Sequence, residues 1–118
     1  GRCGTFSQAG SMNLVRREGF VTALRQGILW YSTAQQEHSP EAAEVLAQRF
    51  ADAVDHTIDK LLRRPGAGVV WPHRQGYRFA LVKKPFDRWL IFYRQPDPMT
   101  IELVDITRGE RDLPRRVR

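Results

Sequence analysis

The spacing of the hydrophobic positions changes once along the chain, from a period near 3.6 to a period of 2. Phe20, Val21, Leu24, Ile28 and Tyr31 recur three and four residues apart, which predicts an amphipathic helix over 19–35, opened by Glu18 and weakest at Gly27. The next start is His38-Ser39-Pro40-Glu41. Here Ser39 can cap free amides, Pro40 suits the first helical position and Glu41 favours the positive end of the helix dipole. Ala43, Leu46, Phe50, Val54, Ile58 and Leu61 keep the helical period to Arg63-Arg64, where Pro65-Gly66 stop it. With only Gln35–His38 between them, the two helices are predicted to form an antiparallel hairpin.

Met12–Arg17 is a short strand ahead of the helices, with Leu14 and Val15 as its apolar part. After Gly68 four strand-like runs follow: Val69–Trp71, Tyr77–Lys83, Arg88–Arg94 and Thr100–Ile106. The breaks between them carry Pro, Gly and Asp, so neighbouring strands should pair antiparallel. Alternation sets Tyr77, Phe79 and Leu81 against Arg78, Ala80 and Val82, and sets Trp89, Ile91 and Tyr93 against Arg88, Leu90, Phe92 and Arg94. Both faces are apolar enough for one to be covered and the other partly used for recognition. Strand, helix hairpin, then a small antiparallel sheet is an α+β domain.

A length of 118 residues suits one domain with a core that needs no disulfide or metal staple. Residues 1–11 are small and polar and precede the first methionine, Met12; they are expected to be an added leader, with 12–118 as a single domain. The lone Cys3 fits a reducing, cytoplasmic setting, and no apolar run reaches the length of a membrane span. The net charge is +6, and it is unevenly placed. Residues 12–71 balance seven basic against seven acidic side chains, whereas 72–118 hold eleven basic and six acidic, including an arginine-rich tail over 108–118. An acidic partner for the second half is the physical implication.

Catalytic and metal chemistry find little support. His38, His56 and His73 are scattered, there is no His-x-x-x-His or Cys-x-x-Cys spacing, and Asp52, Asp55 and Asp59 read as a solvated helix face. Gly66-Ala67-Gly68 lacks the Lys-Ser/Thr of a phosphate loop and follows a helix. No cofactor or metal is expected. What remains is the basic, aromatic second half, whose Trp71, Tyr77, Arg78, Phe79, Arg88, Trp89, Phe92, Tyr93, Arg94, Arg108 and Arg111 can serve RNA stacking and phosphate contact, protein docking, or the core itself.

The string Arg88-Trp89-Leu90-Ile91-Phe92-Tyr93-Arg94, followed by Ile101–Ile106 and Arg108-Gly109-Glu110-Arg111-Asp112, resembles the closing signature of the ParE/RelE toxin superfamily, in its ParE-like plasmid-stabilisation branch. The likeness runs from Met12 to about Arg116 and takes in the first strand, the Ser39-Pro40-Glu41-Ala42-Ala43 helix start, the Pro65-Gly66 stop and Arg78.

The resemblance implies a toxin encoded beside a small antitoxin. RelE-like members cut messenger RNA on the ribosome with sheet lysines and arginines and a C-terminal proton-transfer residue, whereas ParE-like members poison DNA gyrase by binding it. Arg78 and Arg88 match two nuclease-branch basic positions, but Ala80 stands where a second lysine would be and Arg115 where the tyrosine would be. Arginine is a poor proton shuttle at neutral pH. Arg108 stands where ParE-like toxins often carry histidine.

The favoured reading is therefore a cytoplasmic, non-enzymatic gyrase inhibitor, hetero-oligomeric with a ParD-like antitoxin. A ribosome-dependent messenger RNA endonuclease and a non-toxic nucleic-acid-binding module are the alternatives. Arg78, Arg88, Arg94, Arg108 and Arg111 are the expected target-binding residues, and Leu24, Trp30 and Phe50 the expected antitoxin-binding residues. The antitoxin is expected on the apolar hairpin surface and an exposed sheet edge.

Overall fold

Residues 12–34 and 40–109 are described by a computed structural model; the expected leader, the Gln35–His38 connection, the Ser39 cap, Arg111 and Arg115 lie outside them. Strand β1 spans Asn13–Arg16, helix α1 Glu18–Ala34 and helix α2 Pro40–Arg63. A 3-10 turn at Pro65–Ala67 leads into β2 (Val69–Val70), β3 (Tyr77–Leu81), β4 (Trp89–Asp97) and β5 (Thr100–Arg108). The α+β class and the helix pair agree with the sequence pattern.

The sheet order is β1-β5-β4-β3-β2. Strands β2 to β5 pair antiparallel with their neighbours, as their turn residues require, but β1 lies parallel to β5, so the sheet is mixed. β4 also runs past Arg94, because Asp97 pairs with Thr100 at the turn, where the Asp97 carboxylate accepts the Met99 amide at 2.9 Å, and β5 runs past Ile106, because Thr107 and Arg108 pair with Leu90 and Trp89.

The helices cover one face. Trp89, Ile91 and Tyr93 of β4 and Ile101, Leu103 and Ile106 of β5 pack against Phe20 of α1 and Phe50, Val54, Ile58 and Leu61 of α2, all of them buried. Full burial of such side chains contributes about 1.5–3 kcal/mol each. At Gly27, α1 lies tight against this layer. A Cβ there would stand 3.0 Å from the Trp89 ring and 3.2 Å from the Phe50 ring, so the weak helix former is what lets the helix seat on the aromatics. On the other face Phe92 and Leu90 are buried, with Trp71 and Phe79 ring centroids 4.9 and 5.9 Å from Phe92. No helix among the described residues covers that face.

Tyr93 fastens the end of the helical half to the sheet. Its hydroxyl donates to the Pro65 carbonyl at 2.7 Å and accepts the Gly68 amide at 3.0 Å. Burial pushes this hydroxyl above its ordinary 10.0, outweighing the opposite pull of the Gly68 amide and the Arg78 charge.

Candidate functional site

Along α1, Ala23, Gln26, Gly27 and Trp30 fall at helical spacing on one side, facing Trp89 of β4 and Ile106, Thr107 and Arg108 of β5. Together they line an open hollow of about 330 Å³. Its floor exists because residues 23 and 27 are small. Its rim is Trp30, 39% exposed, with the Arg108 guanidinium carbon 5.0 Å from the indole centroid, a cation over an aromatic face.

The rim is braced from behind. The Trp30 and Tyr31 rings meet edge-on at 4.8 Å, and the Tyr31 hydroxyl accepts the Trp89 indole N–H at 3.0 Å. Tyr31 also packs on Phe50 and Phe86 at 5.0 and 5.5 Å. Exposed Arg88 stands at the same end of the sheet without lining the hollow: its carbonyl accepts the Gly109 amide at 2.7 Å, and the next residue, Trp89, pairs with Arg108 across the strands.

Among the described residues, no carboxylate, histidine or lysine lines this hollow. It therefore offers a rigid aromatic plane and positive charge, the composition of a binding hot spot, with no group suited to proton transfer near neutral pH. Among the described residues no three His, Cys, Asp or Glu side chains gather, and no helix is long and apolar enough to cross a membrane.

A family model described as "ParE toxin of type II toxin-antitoxin system, parDE" matches residues 31–113, more than half of the chain. The chain belongs to the ParE toxin family. A solved structure titled "Chromosomal ParDE TA system from P. aeruginosa" is similar in fold, with a TM-score of 0.63 at 17% sequence identity, covering 86% of this chain and 100% of that one. No curated protein matches the sequence.

In this ParE toxin the expected target-binding arginines are dispersed. Arg88 and Arg108 share the hollow's end of the sheet. Arg78 is half-buried on the helix-covered face and donates to the Gly68 carbonyl at 2.9 Å. Arg94 is on the opposite face, ion-paired through its Nε to Glu102, which Arg17 also holds at 2.6 Å. Glu102 is itself buried, and these two partners, Arg94 first, keep its carboxyl below the ordinary 4.5.

Of the expected antitoxin contacts, Trp30 is exposed on the rim and Leu24 is half-buried against the core. Phe50 requires a correction. It is fully buried among Tyr31, Phe86 and Trp89 and offers no surface to a partner. Both Phe50 and Trp30 are large apolar residues in predicted helices, and helical periodicity does not say which of them stays exposed; the sheet's position separates core from rim. Gly27, Tyr31 and Trp89, the hollow's floor and bracing, are missing from the expected site, and Gly27 at the centre of an apolar helix face was the signal available for it.

Proposed function

We propose that this toxin inhibits DNA gyrase by binding it through the Trp30–Arg108 hollow and neighbouring Arg88, and that a ParD-like antitoxin neutralises it by occupying the same hollow. The observation that carries this reading is the arrangement of the arginines. A ribonuclease would need Arg78 and Arg88 to converge on one scissile phosphate. Arg78 pairs with Tyr93, five residues along β4 from Arg88, so the two stand about 16 Å apart along the strand at about 3.3 Å per residue. Arg78 and Arg94 are also occupied by Gly68 and Glu102. Arg108, by contrast, stands over an exposed tryptophan, a pairing that suits protein recognition.

A supercoiling reaction with purified gyrase and the toxin tests the proposal. The expected result is loss of supercoiling or trapped cleaved DNA, reversed by added antitoxin. Normal gyrase activity together with ribosome-dependent transcript cleavage would overturn it in favour of nuclease action.

A further inference from the structure

A second cleft shares no residue with the Trp30–Arg108 hollow. It encloses about 370 Å³ between α2 and the β3–β4 turn and is lined by Arg49, Asp52, Ala53, His56, Lys83, Lys84, Pro85 and Phe86. Its two walls are fixed to each other. The buried Thr57 hydroxyl donates to the Ala53 carbonyl at 2.8 Å and accepts the Lys83 amide at 2.9 Å, which ties the turn to the helix. The turn is further closed by Phe86 N–H to Lys83 C=O, Trp89 N–H to Phe86 C=O and Val82 N–H to Trp89 C=O, each at 3.0 Å. The backbone that carries both lysines is thus held before any ligand arrives.

Three basic side chains, Arg49, Lys83 and Lys84, face this cleft against one carboxylate, Asp52, which accepts from Gln48 at 2.9 Å. None of the three forms an ion pair among the described residues. Arg49 and His56 lie two helical turns apart on α2, about 10 Å at about 1.5 Å per residue, opposite the lysine pair. We propose that this cleft grips the phosphate backbone of duplex DNA, independently of gyrase binding and without sequence preference.

The choice of ligand follows from what the cleft lacks. Recognition of RNA and of single strands relies on bases stacked on exposed aromatics. Here Phe86 is buried at 5% exposure and His56 is the one exposed ring, so no row of rings is present for successive bases to stack on. An acidic peptide would need several apolar anchors beside its charges, and with Ala53 and Phe86 buried the cleft exposes only Pro85. Cations without a stacking platform match backbone contact, which positions a duplex but reads no bases.

The test is anisotropy of a short, mixed-sequence, labelled DNA duplex titrated with the full-length toxin between about 50 and 200 mM salt. Each phosphate contact contributes about 0.9 to the salt slope, so Lys83→Gln with Lys84→Gln should lower it by about 1.8 and weaken binding tenfold or more at about 100 mM. That loss should persist in an Arg115→Gln/Arg116→Gln background, which separates the cleft from the basic tail. If the lysine pair variant fails to fold, Arg49→Gln should lower the slope by about 0.9. An unchanged slope would overturn the proposal. So would tighter, lysine-dependent binding of single-stranded RNA, or a polyglutamate peptide that competes as well as duplex DNA of equal charge.

Discussion

Tyr93 and Gly68 illustrate how closely a residue's identity can be set by its neighbour. A Cβ on Gly68 would fall 2.4 Å from the Tyr93 hydroxyl and 2.8 Å from the Phe79 carbonyl, inside any tolerable contact. Gly68→Ala should therefore destabilise the fold more than Tyr93→Phe, which removes one hydroxyl and leaves the Gly68 amide unpaired at a cost of about 1–3 kcal/mol. Urea unfolding of both variants checks the order. Phe50 and Trp30 separate core from surface in the same way. Phe50→Ala should cost about 3–5 kcal/mol of stability. Trp30→Ala should cost less than about 1 kcal/mol and instead weaken antitoxin binding, measured by titration calorimetry, since it removes an exposed ring and its cation partner. A Trp30→Ala variant that binds antitoxin like the parent would remove this residue from the interface.

Among the elements, the helices were the most legible from sequence. Their bounds agree with the apolar period to within a residue at most ends, because a repeated three-and-four spacing is local information. The pairing of β1 with β5 was not legible, since it joins the two ends of the described chain and no turn specifies it. Glu102 of β5 marks that junction: it holds Arg17, just past β1, and Arg94 of β4 at once. Its carboxyl stays charged in the native state to lower pH than the ordinary 4.5. The stability it contributes is present above that value and is lost as pH falls through the lowered native pKa. Glu102→Gln should accordingly be less stable than the parent near neutrality, the two converging in thermal melts as pH falls below the ordinary 4.5. A constant gap through that fall would place the loss in packing instead of charge.

Over the whole molecule, the excess of positive charge in residues 72–118 was visible in the sequence, but its division of labour was not. Arg78 and Arg94 look like Arg88 and Arg108 in the primary structure, yet the register ties the first two to Gly68 and Glu102 and leaves the second pair at the Trp30 end of the sheet. The resemblance to ParE toxins rested on the β4 string and the closing arginines, and the family match over 31–113 covers both. Under the proposed function, this toxin acts on gyrase through that end of the sheet. The most direct measurement compares gyrase supercoiling in the presence of the parent toxin, an Arg88→Ala/Arg108→Ala variant and an Arg94→Ala variant, each confirmed folded by its melt. Inhibition by the parent and by Arg94→Ala, reduced tenfold or more in the double variant, about 1.4 kcal/mol or greater in binding, is the predicted result. Full inhibition by the double variant, or none by the parent, would contradict it.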